Sequence, residues 1–270
     1  MDKASSGRPH NGFILEASPL PQPLIAALST FSIQKNYFEV DVKRQSREEE
    51  LINKPQKRHY YKSAGWRHPL LLYVDGVLDE GNLGAIARSA YFLGVDAIAT
   101  PMRSTAPWSQ IALKASAGAA EAIPVFAVSD PSTFLGQSTR QGWRIYASDV
   151  IPSEQPGERP LASLSSPLSA DPARDLSSRV VYTYARSTRR LPPGHSPVSI
   201  HPTILMMGAE STGLRGSLLN QANFKVGILH GRDQDEIGVD SLNVSAAASI
   251  LCYEMLQKPK PARKQGDYLF

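Results

Sequence analysis

The chain has 270 residues, of which 41% are hydrophobic, and 29 Lys and Arg against 25 Asp and Glu give it a formal net charge of +4. That length holds one large α/β domain or two small ones with a sizeable core, and the single cysteine, Cys252, excludes a disulfide framework and a cysteine zinc site. No uninterrupted apolar run reaches the length of a membrane span, and residues 1–8, which include Asp2 and lack an apolar core, read as neither a secretory signal nor a transit peptide.

Residues 1–68 are polar and irregular, with Pro19-Leu20-Pro21-Gln22-Pro23 breaking the chain before a short helix predicted over 24–28. They are too few in apolar residues to fold alone and read as an N-terminal extension with a linker. From 69 onward, strand-like and helix-like stretches alternate: strand 70–74, helix 85–93, strand 95–99, helix 111–120, strand 123–128 and strand 143–147. Strands separated by helices predict a mainly parallel sheet. Residues 151–201, dense in Pro, Ser and Arg, read as a long exposed insertion with at most one strand, at 180–184. The pattern resumes with strand 204–207, helix 214–221, strand 224–229 and a last helix over 244–256, closed by Pro259 and Pro261. One α/β domain over 69–257 and a basic tail over 258–270 complete the expected organisation.

Lysines and arginines gather at Lys43-Arg44-Arg47, at Lys54-Lys57-Arg58-Lys62-Arg67, at Arg186-Arg189-Arg190 and at Lys258-Lys260-Arg263-Lys264. Such clusters attract phosphates, although solvated surface charge is the plainer reading of each alone. The second cluster also carries His59-Tyr60-Tyr61 and Trp66, aromatics able to stack on bases.

Three segments carry the chemistry. Asn82-Leu83-Gly84-Ala85-Ile86-Ala87-Arg88 places Asn82 and Gly84 in a strand-to-helix turn and Arg88 one turn into an apolar helix. A half-buried guanidinium there needs an anion, either a ligand or a structural carboxylate such as Asp75 or Asp79. Gly208-Ala209-Glu210-Ser211-Thr212-Gly213-Leu214 follows a strand; Gly208 permits close approach of a ligand, and Glu210 either serves the site or caps a following helix. Asp240-Ser241-Leu242-Asn243-Val244-Ser245-Ala246-Ala247 precedes a small-residue helix that something must approach closely, with Ser241 or Asn243 as its N-cap. The spacing of a hydrolase nucleophile elbow and the lysine of a phosphate loop are both absent.

Taken together and in this order, the three segments resemble the motifs of the SpoU (TrmH-type) RNA 2′-O-ribose methyltransferases of the SPOUT superfamily, most like members that act on guanosine of mitochondrial large-subunit rRNA. Lys114-Ala115-Ser116-Ala117-Gly118-Ala119 adds to the likeness. So does Arg8-Pro9-His10-Asn11-Gly12, which resembles the close of a small RNA-binding domain carried upstream by many relatives. The resemblance implies an α/β trefoil-knot fold, a homodimer with its site at the subunit interface, S-adenosylmethionine as cofactor, RNA as partner, no metal and a mitochondrial location. It places Gly208, Ile228 and Leu242 at the cofactor and Arg88, Asn82, Glu210, Ser241 and Asn243 in the catalytic set. Arg88 is implied to grip a phosphate and stabilise alkoxide charge, Asn82 and Ser241 to orient backbone and ribose, and Glu210 to hold Asn82 or Arg88. The competing readings are a non-catalytic RNA-binding or ribosome-assembly protein that keeps the fold, a tRNA 2′-O-methyltransferase, and a dinucleotide-binding oxidoreductase. The last lacks the full glycine fingerprint.

Overall fold

The computed structural model describes residue 3 and residues 12–13, 17–151, 179–192, 194–231 and 241–259. A ten-stranded sheet runs through them, its strands in the order 58–60, 37–42, 24–32, 125–128, 97–101, 70–74, 203–207, 144–148, 224–228 and 180–184. Its centre is β4 (Leu70–Val74), which pairs in parallel with β5 (Ala97–Pro101) and β9 (Thr203–Met207), and all three strands are buried at every position. Continuous apolar runs of this kind are what a parallel strand covered on both faces requires. Beyond them, β6 (Val125–Val128), β7 (Arg144–Ser148) and β10 (Phe224–Ile228) continue the parallel order. The expected α/β class and mainly parallel sheet are borne out.

Alternation along β4 sorts the core into two layers. Leu70, Leu72 and Val74 face α2 (Glu80–Leu93) and α8 (Val244–Met255), with Ile86, Leu251 and Met255 beneath them. Leu71 and Tyr73 face the other way, into a layer with Phe126, Phe134 of α5 (Pro131–Arg140) and Trp143. The alanine run of the last helix is explained by α2, which lies against α8 and reaches the buried Ala248.

Several expectations are corrected. Residues 24–28 begin a strand, not a helix: β1 (Leu24–Ser32) pairs in parallel with β6 and antiparallel with β2 (Tyr37–Val42), which in turn pairs with β3 (Arg58–Tyr60). Two register shifts in β1 bury both Ala27 and Leu28, so the period of two is broken and the apolar spacing imitates a helix turn. Residues 24–60 are therefore largely built into the sheet and not irregular, and they include the capped helix α1 (Arg47–Asn53). The single helix expected over 111–120 is two, α3 (Gln110–Ser116) and α4 (Ala119–Ala122), because Ala117 and Gly118 both take positive φ. The helix over 214–221 contracts to α7 (Gly216–Leu219). Helix α5 went unforeseen, although Asp130 caps it and Pro131 opens it.

The expected strand at 180–184 is present as β8 (Val180–Tyr184), antiparallel to β10 at the sheet edge, followed by the short α6 (Pro197–Ile200). Residues 152–178 of the insertion, residues 8–11, the tail from 260 and the path over 232–240 that would define a trefoil knot lie outside the described residues. No described helix is long and apolar enough to cross a membrane.

Candidate active site

All three motif segments meet at one end of the sheet. Asp79 caps α2 and accepts a hydrogen bond from the Asn82 backbone N–H at 2.6 Å, so Asn82 sits inside the first turn. It was expected in the preceding turn. Asn243 caps α8: its Oδ1 accepts from the N–H of Ser245 at 3.0 Å and of Ala246 at 3.4 Å. The Asn243 side-chain amide then donates to Asn82 Oδ1 at 3.1 Å and to Glu210 Oε1 at 3.4 Å. One side chain from each motif thus closes a three-residue polar cluster, with Asn243 at its centre. The N-cap reading of Asn243 holds.

Glu210 caps no helix. It stands in a tight loop closed by paired backbone bonds between Ala209 and Gly213, and the next helix starts six residues later at Gly216. Gly208 is obligatory for this loop: a Cβ there would lie 2.3 Å from the carbonyl carbon of Gly213 and 2.4 Å from the nitrogen of Leu214. Its smallness therefore serves the chain's own backbone. Gly84 lies within α2, where a Cβ would meet the Ala112 carbonyl oxygen at 2.2 Å, so it serves the packing of α3 and not an anion-binding turn.

Beside the polar cluster opens a cavity of about 760 Å³, within the ~300–1,000 Å³ typical of small-molecule sites. Gly208, Ile228 and Leu242, the three expected cofactor residues, all line it, as do Glu210 and Ser241. Val244 and Leu251 of α8 supply apolar wall, and the backbone of 209–213 supplies polar groups. This mixture fits S-adenosylmethionine: apolar contact for an adenine ring and main-chain donors and acceptors for its edge.

Arg88 is the main departure. Leu83, Gly84, Ile86, Ala87 and Ala90 form the buried face of α2, and Arg88 falls on the opposite face, exposed, with no ion pair among the described residues. Neither Asp75 nor Asp79 holds it. Asp75, at the end of β4 and 2% exposed, instead receives Arg215 Nε at 3.0 Å and Nη2 at 2.9 Å, together with the Ser104 hydroxyl at 2.6 Å. Sequence reasoning passed over that trio, whose only signal was Arg215 following the second motif. The aromatic run was also misread. Tyr61 is buried, His59 stacks on Phe38 and meets Phe126 edge-on, Trp66 packs on the core, and Arg67 is sealed in an ion pair with Asp96 at 2.6 Å; Tyr60, 73% exposed, is left for solvent.

The model of the SpoU rRNA methylase family matches residues 69–253. The chain belongs to that family. A protein named "rRNA methyltransferase 1, mitochondrial" from Schizosaccharomyces pombe is 31% identical over 256 residues, covering 95% of this chain and 71% of that one. The human protein of the same name is 30% identical over 222 residues, 79% of this chain and 54% of its own length. A 23S rRNA (guanosine-2′-O-)-methyltransferase, RlmB, from Pseudomonas aeruginosa is 29% identical over 194 residues, covering 72% and 60%. This SpoU-family chain thus spans little more than half of the human relative. Among solved structures, an AdoMet-bound rRNA methyltransferase from Sinorhizobium meliloti aligns at TM-score 0.47 and 23% identity, covering 70% of this chain and 56% of that one. The family expected from the three motifs is borne out, and with it the enzyme class, an RNA methyltransferase, and S-adenosylmethionine as the methyl donor. The reading as a dinucleotide-binding oxidoreductase falls.

Proposed function

We propose that this chain methylates a ribose 2′-hydroxyl of a guanosine in large-subunit rRNA, and that it does so in the mitochondrion. The observation that carries the reading is the convergence of Asn82, Glu210 and Asn243, one from each motif, at the edge of a cavity lined by Gly208, Ile228 and Leu242. The names of the relatives, mitochondrial rRNA methyltransferases and a guanosine-2′-O-methyltransferase, support the substrate and the compartment.

S-adenosylmethionine, when bound, supplies an electrophilic methyl group. Gly208, Ile228 and Leu242 would hold the cofactor, and the chain's remaining task is to orient a weak nucleophile and disperse the charge left as its proton departs. Asn243 fixes Asn82, and Glu210 fixes Asn243, so a linked row of side chains presents amide and carboxylate groups of set orientation to a ribose. Ser241 is exposed and lines the cavity, and in this reading its hydroxyl bonds a ribose hydroxyl. Arg88 lies outside this row in a single protomer, which supports a homodimer. Phe92, 87% exposed, Tyr91, Ile250 and Tyr253 leave an apolar surface on α2 and α8 suited to a second copy, and exposed Arg88 precedes Tyr91 and Phe92 by one helical turn. The trefoil knot belongs to this proposal, as does the assignment of residues 1–68, 69–257 and 258–270 to extension, catalytic domain and tail.

The test is calorimetric titration with S-adenosylmethionine and, in parallel, NADH, followed by mapping of 2′-O-methyl groups in mitochondrial large-subunit rRNA from cells lacking the protein. Binding of the first ligand alone and loss of one methylated guanosine are the expected results. Binding without any lost methyl group would favour the non-catalytic assembly reading, and a methyl group lost from tRNA would move the substrate.

A further inference from the structure

Arg215 is an arginine held still with three of its five N–H donors unspent. It leaves the closed loop of the second motif just after Leu214, and two of its N–H groups are spent on the buried Asp75 carboxylate. The Asp75 side chain is 3% exposed, whereas that of Arg215 is 55% exposed. A guanidinium carries five N–H donors, so three remain, turned to solvent and without a partner among the described residues. The pair of Arg67 and Asp96, by contrast, is closed to water on both sides, at 8% and 5%, and offers no donor to a ligand. Here the carboxylate lies underneath and the fork lies across its outer side. The long side chain, floppy on most surfaces, is already ordered for an acceptor that offers two oxygens.

A second cation springs from the same point. Ser104, whose hydroxyl bonds the same Asp75 carboxylate, is preceded by Arg103, which is exposed and has no ion pair among the described residues. The loop that carries both is tied to the end of β4, since Thr105 Oγ1 donates to the Val74 carbonyl at 3.1 Å and accepts from the Gly76 N–H at 3.1 Å. Arg215 and Asp75 together are neutral, so Arg103 supplies the net positive charge that a phosphate needs. Gly76 touches Ala209, 3.2 Å from where its Cβ would stand, so the arrangement abuts the loop that holds Glu210.

We propose that Arg215, oriented by Asp75, forms with Arg103 a clamp for a backbone phosphate of the RNA strand beside the target nucleotide. The clamp reads no base; it sets register, with bidentate geometry from the fork of Arg215 and charge from Arg103. These are positioning residues, and the proposal rests on the RNA-methyltransferase reading above.

The test uses the full chain, with an unmethylated transcript of the large-subunit rRNA and radiolabelled S-adenosylmethionine. Arg103→Ala and Arg215→Ala should each raise KM for RNA about tenfold while the affinity for S-adenosylmethionine stays within about twofold. The slope of log affinity for RNA against log salt should fall by ~0.7 for each lost single-strand phosphate contact. Arg215→Lys should keep that slope but not the full affinity, since a point charge cannot fork. Unchanged slopes in both alanine variants overturn the clamp, as does an Arg215→Ala defect that appears equally in cofactor affinity and melting temperature. Arg103 takes no part in a buried pair, so its variant reports even where Arg215→Ala unfolds. A wild-type chain that transfers no methyl group fails the underlying reading, whereas wild-type transfer with unaltered variant slopes fails the clamp alone.

Discussion

Two glycines three residues apart in α2 should respond oppositely to the same added methyl group. Replacing Gly by Ala inside a helix gains about 0.5–1 kcal/mol from propensity alone. At Gly81 the new Cβ meets one atom, the Asp79 carboxylate oxygen at 3.1 Å, the end of a side chain able to yield a few tenths of an ångström. Gly81→Ala is therefore expected to lie between neutral and about 1 kcal/mol stabilising. At Gly84 the Cβ would stand 2.2 Å from the Ala112 carbonyl oxygen and 2.6 Å from the Ala115 Cβ, so α3 must retreat by roughly 1 Å as a body. Overpacking of that kind costs about 1–3 kcal/mol or more and outweighs the propensity gain, leaving Gly84→Ala about 1–2 kcal/mol less stable. With ~2–4 °C per kcal/mol for a domain of this size, the melting temperature should fall by roughly 2–8 °C. Differential scanning calorimetry of the two variants decides it, and a Gly84→Ala protein that melts at or above the wild-type temperature refutes the reasoning.

Three other outcomes follow from the geometry. Asn243→Asp keeps the cap oxygen of α8 but loses the amide donor and sets a second carboxylate beside Glu210, so stability should hold within about 0.5 kcal/mol while methyl transfer falls at least ~10²-fold; Asn243→Ala should also lose about 1 kcal/mol in urea denaturation. Burial beside Tyr146 and Arg144 pushes His201 down to about 4, and burial lowers His195 and His68 as well. The unfolded chain thus takes up a proton near pH 6.5 that folded His201 refuses until about 4, and stability present above pH 6.5 should drain away across that window by ~2–3 kcal/mol; a His201→Gln protein with an equally steep pH profile would show the group is not responsible. Arg67→Met strands the Asp96 carboxyl, which burial already pushes up, and should cost about 3–5 kcal/mol, most of it recovered when Asp96→Leu is added; equal stability of the single and double variants would contradict this.

The meeting of the three motifs was more legible than the fold around them. Gly208, Ile228 and Leu242 fall together on the cavity wall, and Asn82, Glu210 and Asn243 within hydrogen-bond reach, because short motifs at the ends of buried parallel strands are brought to one edge by the sheet itself. Arg88 was misplaced for a simple reason. Its neighbours in sequence are apolar, but six positions from Asn82 along a helix is not a shared face, and exposure is set by angle and not by adjacent residues. The aromatic run at 59–66 failed in the same way, since the strand pairing that buries Tyr61 and wedges His59 between Phe38 and Phe126 comes from residues twenty to seventy positions away. Register shifts in β1 and the positive φ of Ala117 are decided by partners, and no local pattern announces them.

The attachment of β1 to β6 bears on where this protein can be cut. The family model begins at residue 69, and a truncation there would seem natural, yet it would strip β6 of its outer neighbour and bare the groups that now bond Leu24 and Ile25. Phe126, Phe134 and Trp143 would lose Ile25, Leu28 and Phe38 from over them at the same stroke. What remained would carry a raw apolar edge of the sort that recruits other strands, and it would be a fragment inclined to precipitate rather than a minimal enzyme.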